Sequence, residues 1–160
     1  MTEPSNDTGD PLDTLLPTGV GARVLIVTDD PEIGTALNTG KPTVLDAATA
    51  ERQRDDLPHV DLAVVDAEAA FVDEAGAVQL ISRLRDVYAD QVLVIGARQS
   101  TAALGRHQLI GLGFRRWATT GEGGQRRRWY EFSLADYKVT PDWLSPRHWA
   151  NPELWDRYRW

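Results

Sequence analysis

Short runs of apolar residues recur along the chain between residues 23 and 98, and each run ends in small, polar or charged residues. The runs are RVLIVTDD at 23–30, PTVLDAA at 42–48, DLAVVDAE at 61–68 and QVLVIGAR at 91–98. Continuous runs of this kind, rich in β-branched residues, are typical of strands that are buried on both faces of a parallel sheet. The pattern therefore predicts four parallel strands.

The segments between these runs are more polar and predict helices. PEIGTALNTG begins with a proline suited to a first helical turn and ends with a glycine suited to a helix stop. The polar stretch at 49–59 is short and permits a helix, and Ser100 can cap a helix that continues through TAALGRHQLIGLG. Between residues 74 and 89 the apolar positions recur with helical spacing. These positions are Val78, Ile81, Leu84, Val87 and Tyr88.

The C-terminal part of the fold is predicted to be antiparallel. FRRWATT and RRRWYEFSL flank the glycine-rich loop GEGGQ, which indicates a β-hairpin. Strands that alternate with helices imply a sheet covered on both faces. We therefore predict an α/β fold, a Rossmann-like three-layer sandwich with a mostly parallel sheet, a C-terminal antiparallel hairpin and a Trp-rich helical-turn extension. The predicted boundaries are a mobile arm at 1–19, the α/β domain at 20–139 and the extension at 140–160.

The extension TPDWLSPRHWANPELWDRYRW contains four of the six tryptophans of the chain. Three times, a Thr, Ser or Asn precedes a proline, which pairs a helix N-cap with a first-turn residue. A tryptophan follows each proline within three residues, and these are Trp143, Trp149 and Trp155. Indoles bury large areas, so we expect the turns to pack on the α/β domain. A partner-binding surface and the wall of a ligand pocket are the alternatives.

Charge is unevenly distributed along the chain. Residues 1–114 carry 8 Lys or Arg and 18 Asp or Glu, whereas residues 115–160 carry 9 and 6, so net charges of −10 and +3 give the total of −7. The two parts either attract each other within one fold or present a basic interaction surface. Strand alternation places Arg126 and Arg128 on one face and Arg127 and Trp129 on the other, and pairing of some of these arginines with the acidic strand ends is the alternative to an exposed basic surface. The pI of about 4.9 opposes nucleic-acid binding.

Composition excludes several kinds of chemistry. The chain has no cysteine, which rules out disulfides and thiolate nucleophiles. His59, His107 and His148 lack the spacing of metal ligands, so we expect no metal site.

No apolar run reaches the ~20 residues needed to cross a bilayer. The N-terminus MTEPSNDTGDPLD lacks the basic and apolar regions of a signal peptide. We expect a bacterial, cytoplasmic protein without membrane contact.

Acids follow the first and third predicted strands at Asp29, Asp30 and Asp66. With RVLIVTDD and DLAVVDAE, this arrangement resembles a response-regulator receiver domain, in which paired acids hold magnesium and an aspartate accepts a phosphoryl group. The sequence GAR stands where that family has a hydroxyl residue after the fourth strand. FRRWATT lacks the lysine that closes its fifth strand. A receiver-like phosphoacceptor is therefore one alternative function.

Residues 61–138 resemble the C-terminal half of class I SAM-dependent methyltransferases, through DLAVVDAE, RLRDVYAD, QVLVIGAR and HQLIGLGFRRWATT. Asp46, after the second strand, stands where a ribose-binding acid would lie. The turn TDDPEIG replaces the glycine-rich turn that such enzymes need for close approach to the cofactor. The whole chain, including YKVTPDWLSPRHWANPELW, is similar to a small uncharacterised bacterial family with a degenerate form of this fold.

We therefore expect a non-catalytic binding or scaffold protein without a cofactor. The alternatives are a methyltransferase-like enzyme that binds a nucleotide or SAM-type ligand, and the receiver-like phosphoacceptor. The candidate ligand-binding residues are Asp29, Asp30, Asp46 and Asp66, at the predicted carboxyl ends of strands. The candidate interaction surface consists of Arg126, Arg128, Trp143, Trp149 and Trp155. A protein partner would contact the Trp-rich extension.

Overall fold

The computed structural model describes residues 22–36, 42–98 and 102–137. Six strands form one sheet: β1 Val24–Val27, β2 Thr43–Leu45, β3 Val60–Asp66, β4 Ala89–Ile95, β5 Arg115–Thr120 and β6 Arg127–Ser133. Their order across the sheet is β2-β1-β3-β4-β6-β5. The first four strands are parallel, whereas β6 is antiparallel to both β4 and β5. The predicted mostly parallel sheet with a terminal antiparallel hairpin is confirmed.

Within the described ranges, four short helices connect strands, and a fifth follows β6. They are α1 Pro31–Ala36, α2 Ala47–Arg52, α3 Glu74–Arg83, α4 Arg106–Gly111 and α5 Leu134–Tyr137. A π-helical turn at Leu84–Tyr88 extends α3, and a 3-10 turn at Gly123–Gln125 lies between β5 and β6. Asp73 precedes α3 as its N-cap, and its side chain accepts a hydrogen bond from the amide of Gly76 at 2.7 Å. This N-cap satisfies one of the free amides of the first helical turn.

The sheet has two apolar faces. The first face packs against α2, α3 and α4, and its sheet residues include Leu25, Val27, Ala63, Val65, Val92 and Val94. The second face consists of Val24, Ile26, Leu62, Val64, Leu93, Ile95 and Trp129. Ile33 of α1 packs on this second face. Among the described residues, helices therefore lie on both faces, as the three-layer prediction required.

The helical stripe of α3 differs from the prediction at its C-terminal end. Leu80, Ile81 and Leu84 are buried, but Val87 is 49% exposed. The π-helical turn explains the difference, because its wider turn rotates the residues after Leu84 away from the phase of an α-helix.

The predicted helix from Ser100 is wrong for the residues that the structure describes. Residues 102–104 form bends, and α4 begins only at Arg106 after Gly105. The side chain of Gln108 accepts a hydrogen bond from the amide of Gly105 at 3.1 Å, which fixes the later start. Ser100 itself lies outside the described residues, as do the predicted arm at 1–19 and the extension at 140–160. No helix in the described ranges is long and apolar enough to cross a membrane.

Candidate functional site

The carboxyl ends of β1, β2, β3 and β4 lie at one edge of the sheet, because these strands are parallel. β2 lies on one side of β1, and β3 lies on the other, so the strand order reverses between β1 and β3. Open α/β sheets bind ligands in the crevice at such a switch point. Residues 28–30 follow β1 and residues 67–73 follow β3, and these two loops flank the crevice.

Asp66 ends β3 and is 4% exposed. Its Oδ1 accepts hydrogen bonds from Nη2 of Arg127 at 2.5 Å and from the amide of Glu68 at 3.0 Å. Its Oδ2 accepts a hydrogen bond from the hydroxyl of Thr28 at 3.1 Å. A buried carboxylate requires such partners, because burial removes its hydration. The chain itself therefore supplies partners to both oxygens of the best-buried acid at this edge.

Arg127 reaches Asp66 because β6 runs antiparallel to β4 and so begins at the carboxyl edge. Its Nε donates to the carbonyl of Gly96 at 3.0 Å, and its Nη2 lies 3.8 Å from Oε2 of Glu68. Its side chain is 13% exposed, whereas Arg126 and Arg128 are exposed. The predicted pairing of a hairpin arginine with the acidic strand ends is confirmed for Arg127.

Glu68 and Arg98 form a second ion pair at this edge. Nη2 of Arg98 donates to Oε2 of Glu68 at 2.7 Å, Nε donates to Oε1 at 3.0 Å, and the amide of Arg98 donates to Oε1 at 2.8 Å. Nη1 of Arg98 also donates to the side chain of Gln125 at 2.7 Å. The pair thus joins the loops after β3 and β4 to the β5–β6 hairpin. We call Thr28, Asp66, Glu68, Arg98 and Arg127 the carboxyl-edge network.

The hydrogen bonds from Arg98 lower the pKa of Glu68 from its ordinary value of 4.5 to about 2. They stabilise the ionised carboxylate more than they would the protonated form. Arg98 shows the reciprocal effect, because Glu68 raises the pKa of its guanidinium. Both groups therefore remain charged throughout the neutral pH range.

The Glu68–Arg98 ion pair makes the free energy of unfolding depend on pH in the acidic range. Because the pKa of Glu68 is lower in the folded state, its stabilisation is complete above about pH 4.5 and is lost as the pH falls towards 2. We expect the variant Glu68→Gln to lose on the order of 1 kcal/mol at pH 6 after solvent screening, with the difference closing near pH 2. Urea unfolding between pH 2 and 6 measures this. Glu122→Gln, in the exposed turn, is the control, and equal pH profiles for both variants would contradict the assignment.

The crevice between β1 and β3 is closed by hydrogen bonds between its two loops. Oδ2 of Asp29 accepts from the amide of Ala70 at 2.6 Å, and the hydroxyl of Thr28 donates to Asp66. Asp30 folds back on its own loop, where its Oδ1 accepts from the amide of Glu32 at 2.9 Å. Of these acids, Asp29 and Asp66 thus connect the loops that would have to separate around a ligand.

Asp46 lies after β2 at the same edge and caps α2. Its Oδ1 accepts from the amide of Thr49 at 2.7 Å, and its Oδ2 accepts from the hydroxyl of Thr49 at 3.0 Å. The hydrogen bond from the Thr49 amide lowers the pKa of Asp46. Both oxygens therefore have a local structural role, and binding of a ribose by Asp46 stays a prediction.

The four predicted ligand-binding acids lie at one edge of the sheet, as expected, but each has partners within the chain. Thr28, Glu68 and Arg98 were not predicted as site residues, although each lies within three residues of a strand end. Among the residues that the structure describes, no group of three or more His, Asp or Glu side chains is placed to hold a metal ion. Trp143, Trp149 and Trp155 lie outside the described ranges.

An open groove with a volume of about 910 Å³ lies beside the network, between the loops after β3 and β4. Glu68, Val72, Arg98 and Ala103 are among its lining residues. Val72 is 81% exposed, which leaves an apolar side chain in water. The groove therefore combines charged and apolar groups at the carboxyl edge.

The strand order and the inserted antiparallel strand define an α/β protein with a Rossmann-like fold. A model of DUF6231, a family of unknown function, matches residues 6–160, and the chain belongs to this family. No curated protein matches the chain.

Solved structures of methyltransferases are similar to the chain. Magnesium protoporphyrin IX methyltransferase from Synechocystis PCC 6803 with bound SAM is 15% identical, with 75% of this chain and 72% of that chain covered and a TM-score of 0.45. The same enzyme with bound SAH is 15% identical, with 75% of each chain covered and a TM-score of 0.44. A SAM dependent methyltransferase from Aquifex aeolicus is 14% identical, with 69% of this chain and 81% of that chain covered and a TM-score of 0.38.

Proposed function

We propose that this chain is a non-catalytic binding protein on a methyltransferase-like α/β fold. The observation that carries the proposal is the closure of the crevice between β1 and β3. The Asp29–Ala70 and Thr28–Asp66 hydrogen bonds occupy the place where a nucleotide or SAM-type ligand enters a sheet of this kind. A ligand there would have to break both bonds and separate the loops.

The charge balance of the carboxyl-edge network supports the same proposal. Two carboxylates, Asp66 and Glu68, face two guanidiniums, Arg98 and Arg127. Removing one partner from a buried ion pair leaves an uncompensated charge, which costs several kcal/mol. Protonation of Asp66 as a base would carry that cost, and attachment of a phosphoryl group would require an oxygen that already accepts a hydrogen bond from Arg127 or Thr28. The receiver-like alternative therefore has less support than a structural role for Asp66.

The turn after β1 also argues against close approach of a phosphate or carboxylate. Asp29 and Asp30 bring negative charge to this turn, and Pro31 lacks an amide hydrogen that could donate to an anion.

Exposed residues elsewhere in the described structure support a binding role. Val72 presents an apolar side chain, and Arg128 presents a charge on the hairpin. We propose a protein as the partner, because apolar and arginine side chains together are typical of protein interfaces.

Calorimetric titration of the full chain with SAM, SAH and ATP tests the proposal. We expect no saturable heat at micromolar ligand concentrations, because the crevice is closed. Micromolar binding of SAM that is lost in Asp46→Ala would contradict the proposal and favour the methyltransferase-like alternative. Asp73→Ala is the matched control, since Asp46 and Asp73 both cap helices. Loss of binding in both variants would indicate helix destabilisation instead of lost ligand contact.

A further inference from the structure

Glu51 of α2 is a buried acidic residue with one oxygen that lacks a partner. The residue is 6% exposed. Its Oε2 accepts a hydrogen bond from the amide of Val72 at 3.2 Å. Its Oε1 is buried and has no hydrogen-bond partner among the residues that the structure describes. Buried polar atoms are nearly always hydrogen-bonded, because burial removes their hydration. Oε1 therefore needs a donor that the described part of the chain does not supply.

Glycine at position 76 allows α3 to approach this carboxylate closely. A Cβ atom on Gly76 would overlap Oε1 of Glu51 and would lie 3.2 Å from Oδ1 of Asp73. Oxygens of two acidic side chains thus converge at the first turn of α3. The amide of Gly76 donates to Asp73, so it is not the partner of Oε1. The first turn of α3 therefore concentrates acceptors and leaves one of them without a donor.

Glu51, Asp73 and Gly76 line an open pocket between α2 and α3 with a volume of about 460 Å³. Sites for small molecules span roughly 300–1,000 Å³, so this volume suits a compact ligand. Val72 and Ala75 add apolar surface to the pocket wall. No residue of the carboxyl-edge network is among the described residues that line it. The pocket is therefore distinct from the crevice between β1 and β3.

The pocket wall combines two acidic side chains with two basic ones. Arg52 and Arg54 line it together with Glu51 and Asp73. Nη2 of Arg52 donates to the hydroxyl of Thr49 at 3.0 Å, and Nη1 of Arg54 donates to the carbonyl of Glu51 at 3.3 Å. A guanidinium has several N–H donors, so both arginines can also donate to a ligand carboxylate. A ligand with a single sign of charge would be repelled by one of the two sets.

We propose that this pocket binds a small zwitterion of the α-amino acid class. The ammonium group of the ligand donates to Oε1 of Glu51 and to Asp73, and its carboxylate accepts from Arg52 and Arg54. Because Oε1 is itself buried, binding requires a rotation of the Glu51 carboxylate about its terminal torsion, which has a broad energy profile. This inference does not depend on the proposed function, since the pocket lies outside the crevice.

Titrations followed by NMR of the nitrogen-15-labelled full chain test this inference. Each standard L-amino acid is added singly to ~10 mM, a range that suits a ligand with few heavy atoms. We expect at least one of them to shift the amide signals of Val72, Ala75 and Gly76 in a saturable way. The amide signal of Thr119 should not move, because β5 lies at the opposite edge of the sheet from β2.

Variants and matched ligands assign the contacts. Glu51→Gln keeps the size of the side chain and removes its charge, and it should weaken binding of the best amino acid by ~10-fold or more. The double variant Arg52→Gln, Arg54→Gln should weaken the amino acid but not the amine that lacks its carboxylate. Glu74→Gln is the matched control and should leave the Kd unchanged, because Glu74 is an exposed acid next to Asp73 and is not among the lining residues. Thermal unfolding shows whether each variant is folded.

Three outcomes would overturn the inference. The first is that no amino acid shifts these signals, which would assign the donor for Oε1 to a water molecule or to another segment of the chain. The second is an unchanged Kd in Glu51→Gln or, if that variant does not fold, in the double arginine variant. The third is equal affinity for the amino acid and for its amine or its deaminated acid, which would show that the pocket does not recognise both charges.

Discussion

Replacing Arg127 with methionine should lower the free energy of unfolding by ~3–5 kcal/mol, because it leaves the carboxylate of Asp66 buried without its charged partner. Asp66 is 4% exposed, so water cannot readily take the place of the guanidinium. The variant also loses the hydrogen bond from Nε to the carbonyl of Gly96. Urea unfolding at pH 7, followed by circular dichroism, measures the loss.

Arg128→Met is the matched control for this prediction, since Arg128 is the next residue on β6 and is exposed. Its effect should stay within ~0.5 kcal/mol, as for most surface substitutions. The double variant Asp66→Asn, Arg127→Met should recover about half or more of the loss, because no charge remains unpaired. Equal losses in Arg127→Met and Arg128→Met would show that the Asp66–Arg127 pair does not stabilise the carboxyl edge.

Gly96→Ala should destabilise the protein by ~2–4 kcal/mol through overpacking and a weakened hydrogen bond. A Cβ atom at this position would lie 2.5 Å from the carbonyl oxygen of Arg128 and 2.9 Å from Cε2 of Tyr130. The oxygen is backbone, and it accepts a hydrogen bond from the amide of Gly96 at 2.6 Å. The methyl group would therefore push β6 away from β4, and thermal unfolding would show a lower Tm.

Gly111→Ala provides the comparison, because no heavy atom lies within 4 Å of its added Cβ atom. Gly111 is the last residue of α4, where alanine favours the helix by up to ~1 kcal/mol. We expect this variant to unfold at the same temperature as the wild type or slightly above it. If Gly96→Ala behaved like Gly111→Ala, the close approach of Gly96 to Arg128 would be wrong.

The sheet could be predicted from the sequence because its signals are local. Each of the four apolar runs overlaps a described strand, and GEGGQ marks the turn between β5 and β6. The exposure of Val87 could not be predicted, because a π-helical turn changes the helical phase and no residue type in this segment indicates such a turn. The helix start at Arg106 was missed, since Ser100 is at least as good a cap by residue type as Gly105.

Of the candidate site, only the positions of the acidic residues could be predicted from the sequence. Asp29, Asp30, Asp46 and Asp66 could be placed because they follow apolar runs, and the ends of parallel strands share an edge. Their partners could not be assigned, since Asp66 and Arg127 are 61 residues apart and meet only through the position of β6. Strand alternation did distinguish Arg127 from Arg126 and Arg128. The depressed pKa of Glu68 depends on the geometry of Arg98 and is not visible in the sequence.

The insertion of β6 between β4 and β5 has a consequence for synthesis on the ribosome. β4 ends at Ile95, but its partner β6 begins only at Arg127, after β5 has been made. A nascent chain that stops before β6 therefore leaves one edge of β4 unpaired, and open apolar edges invite association with other chains. Pairing between segments so distant in sequence is also intrinsically slow. The interior of the sheet is thus completed by one of the last described segments to be translated.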